Sequence, residues 1–157
     1  MGSGKSTAGR LLAERLGYRF EDADARVETL AASSIREIFR VRGEDSFRDL
    51  ERQAISELLN EERIVIATGG GAFAQEACAE MLLTRTFTIH LSCEFGEAYA
   101  RVAGETGRPL VEKGESAMAA LYAERKDKYS RAHATIDTTR RSPEQVAAEL
   151  LRLLPNS

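Results

Sequence analysis

The first residues of the chain combine small side chains, a lysine and two hydroxyls in a pattern that binds phosphate. Residues 1–7 are Met-Gly-Ser-Gly-Lys-Ser-Thr and lead directly into an amphipathic segment. Small residues let successive backbone N–H groups point at phosphate oxygens, and a helix that begins here adds its positive end. Lys5 would reach the β- and γ-phosphates and Ser6 would ligate Mg²⁺. We therefore predict a nucleotide site formed by Gly2, Ser3, Gly4, Lys5, Ser6 and Thr7; the alternative is a flexible Gly/Ser segment.

This phosphate-binding pattern is incomplete at its start. The full motif G-x-x-x-x-G-K-[ST] has a glycine five residues before Gly4, a position that would lie two residues upstream of Met1. The buried strand that normally precedes the loop would lie upstream as well. We expect both in a longer chain that begins before Met1. Without that strand, we expect a gap in the centre of the sheet.

Two aspartates follow a short strand at 18–20 and suggest a catalytic pair. In an extended chain Asp22 and Asp24 would point to the same side, because side chains alternate along a strand. One carboxylate would support Mg²⁺, and the other would take a proton from an attacking hydroxyl. The alternative is a solvated turn in which an aspartate caps a helix.

Three arginines have the chemistry to hold anions. Arg48 and Glu51 are one helical turn apart, so that the glutamate would orient a guanidinium suited to a substrate carboxylate. Arg108 lies in a Gly- and Pro-containing segment, 104–116, which we interpret as a lid that closes over a transferring phosphoryl group. Arg125 lies on a charged helix. The alternatives are a surface ion pair, a solvated loop arginine and a solvated helix face.

The elements that must position these residues alternate between strands and helices. Apolar runs predict strands at 18–20, 63–68, 87–91 and 133–137, and helical spacing predicts helices at 6–16, 34–43, 44–60, 75–83, 94–103 and 117–130, with a last helix after Ser142. Such alternation is typical of a parallel sheet covered on both faces, in the α/β class.

Gly69, Gly70 and Gly71 follow the 63–68 strand and would let a ligand approach the backbone; the alternative is a tight turn.

Composition excludes several classes of protein. The 157 residues carry a net charge of −3, with 43% hydrophobic and 30% charged residues, which is ordinary for one globular domain and unlike a protein that coats nucleic acid. No apolar run reaches the ~18 residues that span a bilayer. Cys78 and Cys93 lack metal-ligand spacing, so we expect reduced core thiols in a cytoplasmic protein. No signal-peptide pattern is present.

The order of these motifs resembles the shikimate kinase family over essentially the whole chain. The matching residues are GSGKST in the loop, Phe20-x-Asp22-x-Asp24, Phe47-Arg48-x-x-Glu51, Gly69-Gly70-Gly71, Arg108-Pro109-Leu110, and Glu124-Arg125 followed by Tyr129. The resemblance implies a three-layer P-loop fold whose parallel sheet has the order 2-3-1-4-5, its first strand being the one missing here. It further implies ATP-dependent phosphorylation of the 3-hydroxyl of shikimate, with ATP and Mg²⁺, by a monomer.

The same resemblance implies roles for individual residues. Asp24, Arg48 and Arg125 would bind shikimate beside Gly69, Gly70 and Gly71, and the two arginines would hold its carboxylate. Lys5, Asp24 and Arg108 would be catalytic, and Ser6 and Asp22 would support Mg²⁺. Arg101, Arg108, Arg141 and Pro143 would contact the nucleotide. Residues 23–53 would form the substrate-binding subdomain, in which Ile35, Phe39 and Phe47 pack around the substrate ring.

Two other functions remain compatible with these motifs. The first is a different small-molecule kinase of the same architecture, which acts on gluconate or a nucleoside monophosphate. The second is a nucleotide-binding protein without catalytic activity, because the first strand is missing. The combination of Asp24, Arg48 and Arg125 favours a hydroxylated carboxylic acid as the acceptor, since a nucleotide would need a base pocket and more phosphate-binding arginines.

Overall fold

A computed structural model describes residues 2–102 and 114–155 of the chain. Four short strands alternate with seven α-helices in this part of the chain. In chain order the elements are α1 (Lys5–Leu16), β1 (Arg19–Asp22), α2 (Ala23–Ala31), α3 (Ile35–Leu58), β2 (Ile64–Ala67), a 3₁₀ turn (Ala72–Ala74), α4 (Glu76–Arg85), β3 (Ile89–Ser92), α5 (Phe95–Val102), α6 (Glu115–Tyr129), β4 (Ala134–Asp137) and α7 (Pro143–Leu153).

The strands form two parallel pairs. β1 pairs with β2 in the register Arg19 with Ile64, and β3 pairs with β4 in the register Ile89 with Ala134. Within the described residues no backbone ladder joins β2 to β3. The order β1-β2 and β3-β4 matches the expected sheet with its central strand absent, and the expected gap lies between β2 and β3.

Helices cover both faces of these strands. On one face, Ala8 and Leu12 of α1 form a core cluster with β4 and α7, and Val65 of β2 packs against it. On the other face, Ile64 and Ile66 pack against a second cluster, which α3 and α4 build with Ala23. Since neighbouring residues of a strand face opposite sides, both layers pack against β2, in which Ala67 is buried and the other residues are half-buried. The three-layer α/β class is therefore confirmed.

Local signals explain where several helices begin and end. Gly17 ends α1 with φ 66°, a left-handed conformation that glycine adopts without strain. Ser142 and Gln145 form a reciprocal capping box at the start of α7, with Pro143 in its first turn. The expected break at Gly43 is present as a kink inside α3, where φ is 80° and ψ is 177°. Gly43 is not helical, so the predicted boundary between the helices 34–43 and 44–60 is confirmed, and the span Ile35–Leu58 consists of two helical stretches that meet at this kink.

One expectation about local structure was wrong. The chain after β1 is helical, since Asp22 is the N-cap of α2, and Asp24 therefore lies in the first helical turn instead of an extended segment. Of the predicted lid, 104–116, the structure describes Gly114 and the start of α6 at Glu115, two residues before the predicted start of that helix. The remainder of that lid, including Arg108, falls outside the described residues.

Candidate active site

The amino-terminal loop has the backbone geometry of a phosphate-binding loop. Gly4, with φ 78°, precedes the first turn of α1, which contains no acidic residue, so the positive end of this helix faces the loop. Gly2 has φ 68°, and a Cβ at this position would overlap the Ala98 carbonyl of α5. The Arg101 guanidinium donates to the Gly2 carbonyl at 3.1 Å. Helix α5 therefore holds the start of the loop in place.

Ser6 and Asp22 are in direct contact. The Ser6 hydroxyl donates to Asp22 Oδ2 at 2.8 Å, while Asp22 Oδ1 accepts the Asp24 backbone N–H at 3.0 Å. This pairing puts a hydroxyl and a carboxylate beside the positive end of α1. Such a donor set fits Mg²⁺, which is commonly held by one or two protein ligands together with phosphate oxygens and water. The described residues contain no cluster of three or more His, Cys, Asp or Glu side chains for an all-protein metal site.

The glycine loop, residues 69–71, is the point where the charged side chains converge. A Cβ on Gly69 would lie 2.6 Å from Asp24 Oδ1, and one on Gly70 would lie 3.2 Å from Arg125 Nη1. A Cβ on Gly71 would overlap the Arg48 guanidinium. A side chain at any of the three positions would therefore press on a charged group that comes from α2, α3 or α6. Asp24, Arg48 and Arg125, far apart in sequence, lie together around this loop.

Arg48 is held by two carboxylates of different exposure. Nη1 donates to Glu51 at 2.7 Å, and Nη2 donates to Glu44 at 2.9 Å. The Glu51 side chain is 1% exposed and also accepts from Gln75 at 2.6 Å, whereas the Glu44 side chain is 63% exposed. Burial lowers the pKa of Arg48, but the hydrogen bonds to Glu51 and Glu44 outweigh it and the pKa is raised. Arg48 therefore stays charged, with one fixed and one solvent-exposed partner.

Tyr129, at the end of α6, links the glycine loop to Arg125. Its hydroxyl donates to the Gly70 carbonyl. Arg125, one helical turn earlier, approaches the same glycine, since a Cβ on Gly70 would lie 3.2 Å from Arg125 Nη1 and 3.3 Å from the Tyr129 hydroxyl oxygen. Burial raises the pKa of Tyr129 above its ordinary value, so the phenol remains a donor at neutral pH. The His90 ring lies 4.8 Å from the Tyr129 ring. Burial, followed by the charge of Lys5, lowers the pKa of His90, which favours the neutral imidazole.

The predicted nucleotide contacts beyond the loop lie at the ends of β3 and β4. Arg101 donates to the Thr138 carbonyl at 3.3 Å and pairs with Glu97, which also accepts the Arg140 backbone N–H. Arg141 forms an ion pair with Glu149. Pro143 is exposed in the first turn of α7. Arg101 thus connects the phosphate-binding loop to the segment that contains Arg141.

A cavity of about 500 Å³ connects the site with the gap in the sheet. Lys5, Gly70, Arg125 and Tyr129 belong to its lining, together with side chains of α1, β2, β3, α4, α6 and α7. This volume is within the range of ligand pockets, roughly 300–1,000 Å³. The cavity lies between the two strand pairs and is mostly apolar away from the site. The region between β2 and β3 is therefore a cavity with largely apolar walls.

The predicted aromatic part of the substrate subdomain also forms a cluster. The Phe39 and Phe47 rings lie 4.6 Å apart, and Ile35 packs against the same group. The Arg48 guanidinium lies over the Phe47 ring at 5.1 Å, so this cluster also supports the arginine. Cys78 and Cys93 are buried free thiols, as the sequence predicted.

Sequence reasoning missed two contacts of the site. Gln75 binds Glu51 across 24 residues, and Tyr129 binds Gly70 across 59 residues. The spacing of Arg125 and Tyr129 was the one available signal, because residues four apart share a helix face. Nothing in the sequence indicates the partner of Gln75, which precedes α4 as its N-cap residue.

Comparisons with known proteins agree on one family. The family model described as shikimate kinase matches residues 1–155. A shikimate kinase of Persephonella marina is 38% identical over 96% of this chain and 92% of that protein, and one of Geobacter metallireducens is 42% identical over 96% and 85%. The solved structure of a shikimate kinase from Acinetobacter baumannii in complex with shikimate superimposes with a TM-score of 0.93, at 36% identity over 98% of this chain and 87% of that chain.

No helix among the described residues is long and apolar enough to cross a membrane.

Proposed function

Because the chain belongs to the shikimate kinase family, we propose that it transfers the γ-phosphoryl group of ATP to the 3-hydroxyl of shikimate. The observation that supports this proposal most strongly is the convergence of Asp24, Arg48 and Arg125 on the glycine loop. Two guanidinium groups and one carboxylate around an exposed backbone fit an acceptor with both a carboxylate and hydroxyl groups. Neither residue type alone would favour such an acceptor.

On the acceptor side, each residue has a distinct task. Arg48 and Arg125 bind the carboxylate of shikimate, with Glu51 fixing the Arg48 guanidinium from its buried side. Gly69, Gly70 and Gly71 supply backbone groups at the base of the pocket. Asp24 accepts a hydrogen bond from the 3-hydroxyl, orients it toward the γ-phosphate and takes its proton as the bond to phosphorus forms.

On the nucleotide side, the positive end of α1 and Lys5 neutralise the phosphates. Ser6 and Asp22 would hold Mg²⁺, which when bound neutralises charge on the β- and γ-phosphates. The other proposed nucleotide contacts are Gly2, Ser3, Gly4, Thr7, Arg101, Arg108, Arg141 and Pro143. Among them, Arg108 would act as the lid arginine on the transferring phosphoryl group.

This arrangement suits phosphoryl transfer because that reaction requires positioning and charge neutralisation more than covalent participation. Arg48 and Arg125 fix one end of the acceptor, so that the hydroxyl at its other end can lie in line with the leaving oxygen. Lys5 remains close to the developing negative charge. We further propose that the enzyme acts as a monomer in the cytoplasm, where thiols such as Cys78 and Cys93 remain reduced.

The test is shikimate-dependent ADP release with Mg-ATP, with gluconate as the control acceptor. We expect saturable turnover with shikimate alone. Turnover with gluconate or a nucleoside monophosphate, and none with shikimate, would overturn the choice of acceptor. Stabilisation by ATP without turnover of any acceptor would instead indicate a nucleotide-binding protein that does not catalyse.

A further inference from the structure

The conformation of the glycine loop depends on hydrogen bonds to its three carbonyl oxygens. The Gly69 carbonyl accepts the Ala72 backbone N–H at 3.2 Å, and the Gly71 carbonyl accepts the Ala74 backbone N–H at 3.1 Å. Both donors belong to the short 3₁₀ turn that follows the loop. The Gly70 carbonyl is different, since its donor is the Tyr129 side chain from α6.

Because the peptide unit is planar and trans, the hydrogen bond from Tyr129 to the Gly70 carbonyl also determines the direction of the next N–H group. The Gly70 carbonyl and the Gly71 N–H belong to one peptide unit, and in a trans unit they point in opposite directions. When Tyr129 fixes the carbonyl on one side, it fixes the N–H direction on the other. Glycine has no Cβ to restrict rotation of this unit, so the hydroxyl supplies a constraint that the residues themselves lack.

The Tyr129 side chain is itself positioned by neighbouring rings. Its ring lies 4.8 Å from the His90 ring and 6.4 Å from the Phe73 ring, and the charge of Arg125 acts on the phenol by lowering its pKa against the larger effect of burial. A Cβ on Gly70 would lie 3.3 Å from the Tyr129 oxygen and 3.2 Å from Arg125 Nη1. The phenol therefore contacts both the loop and one of the two arginines of the site.

We propose that Tyr129 is a positioning residue for the phosphoryl acceptor: its hydroxyl sets the Gly70–Gly71 peptide plane and the adjoining Arg125 guanidinium in the orientation that binds shikimate. This inference rests on the proposed function, because it concerns the same acceptor pocket. Tyr129 acts through Gly71 and Arg125 and takes no part in proton transfer. Its contribution is geometric and is specific to the acceptor.

The chain contains a matched control on the same helix. Tyr122 of α6 also donates its hydroxyl to a backbone carbonyl, that of Cys93, which lies outside the glycine loop. Burial raises its pKa as well, so both phenols are protonated donors at neutral pH. The substitutions Tyr129→Phe and Tyr122→Phe therefore remove the same kind of bond, and only the first removes it from the acceptor pocket.

For Tyr129→Phe we expect the shikimate KM to rise about tenfold, the scale of losing a hydrogen bond to a partly buried carbonyl. The ATP KM should stay within twofold, and Tm should fall no more than in Tyr122→Phe. For Tyr122→Phe we expect unchanged KM values for both substrates. A Tyr129→Phe variant with unchanged shikimate KM, or with equal increases for both substrates, would overturn the positioning role.

A readout without catalysis separates this proposal from the proposed function. In ¹⁵N-labelled protein without ligand, Tyr129→Phe should shift the Gly70 and Gly71 amide resonances and accelerate their hydrogen exchange, whereas Tyr122→Phe should leave both unchanged. Loop resonances that are identical in wild type and Tyr129→Phe would overturn the inference even in an active enzyme. Failure of the proposed function would appear instead as wild-type protein that does not turn over shikimate, and the loop resonances still decide the role of Tyr129.

Discussion

The two parallel strand pairs carry functional ends of very different construction. At the end of the β1–β2 pair, buried and half-buried groups bond one another: Glu51, 1% exposed, binds Arg48 and Gln75, and Tyr129 binds Gly70. At the end of the β3–β4 pair, both partners of the Arg101–Glu97 ion pair are partly exposed, with side-chain exposures of 33% and 26%. The proposed acceptor half therefore has its hydrogen bonds in place without a ligand, while the proposed nucleotide half relies on partly exposed side chains and on backbone groups.

This difference follows from what each ligand supplies. A small acceptor has few groups, so the protein must hold its own arginines and peptides in the binding geometry in advance, which avoids an entropic cost on binding. ATP brings several phosphate charges, and a helix end with a few cations can bind these without a buried network. Substitutions in the two halves should therefore differ in size and in which substrate they affect.

The largest effect is expected for Arg48→Ala. Loss of one arginine from a two-arginine carboxylate clamp costs about 2–5 kcal/mol, so kcat/KM for shikimate should fall by a factor of about thirty to several thousand. The ATP dissociation constant should stay within about threefold, because Arg48 lies in the acceptor half. Steady-state kinetics with each substrate varied, together with ATP titration, measure both.

Arg52→Ala is the matched control for this substitution. Arg52 lies on the same helix, forms an i,i+3 pair with Asp49, and its side chain is 52% exposed. Its removal should change neither constant, since an exposed pair contributes about 0–1 kcal/mol. Equal weakening of both substrates in Arg48→Ala would break the separation of the two halves.

For Arg101→Ala we expect a smaller effect, and we expect it on the ATP KM instead of the shikimate KM. This side chain joins the carbonyls of Gly2 and Thr138, so its loss should loosen the phosphate-binding loop. Because these bonds are largely exposed, the ATP KM should rise only about three- to tenfold, and the shikimate KM should stay within twofold. Arg131→Ala, which removes another exposed ion pair, that with Glu76, serves as the control. An increase confined to shikimate would contradict the assignment of this half.

For Glu44→Gln we expect a gain in acceptor binding: the shikimate KM should fall about two- to threefold. Glu44 binds Arg48 from the solvent side, at the guanidinium edge that a substrate carboxylate would need. Since an exposed ion pair contributes about 0.2–1 kcal/mol, weakening this competitor should lower the shikimate KM by that small factor. Asp49→Asn provides an exposed carboxylate control on the same helix. A raised shikimate KM would mean that Glu44 supports Arg48 instead of competing for it.

The smallest effect on catalysis is expected in the cavity between the two halves. Leu91→Phe adds apolar volume to the wall of this cavity and should raise the free energy of unfolding by about 1 kcal/mol. The same substitution should reduce the fluorescence of an apolar dye bound to the native protein. Leu153→Phe, at an exposed position, should change neither. Unfolding curves and dye titration measure both effects, and a destabilised Leu91→Phe would show that the region is already filled.

The sequence predicted those features that depend on local spacing. The caps at Gly17 and Ser142, the break at Gly43 and the pairing of Arg48 with Glu51 all involve residues within about one helical turn. The gap between β2 and β3 was also predicted, because the strand missing from the motif is the central one in the sheet order that the resemblance implies. Local sequence patterns predicted the helix ends, and the strand order implied by the resemblance predicted the arrangement of the strands.

Other features required the folded chain. Helix α2 was missed because the Asp22–Asp24 spacing suits both an extended pair and an N-cap, and the bond from the Asp24 backbone N–H to Asp22 decides between them. The Gln75–Glu51 and Tyr129–Gly70 bonds join residues 24 and 59 positions apart. Such contacts depend on how helices pack around the strands, which periodicity in the sequence does not specify.

The central claim, that acceptor and nucleotide are recognised by different halves, can be tested directly by amide chemical-shift mapping. Shikimate alone should shift the resonances of Gly69, Gly70 and Gly71 and leave Thr138 and Thr139 unchanged. ADP alone should shift the Gly4 to Thr7 amides and Thr138. If shikimate perturbs the β3–β4 end and leaves the glycine loop unchanged, the account of the acceptor site is wrong.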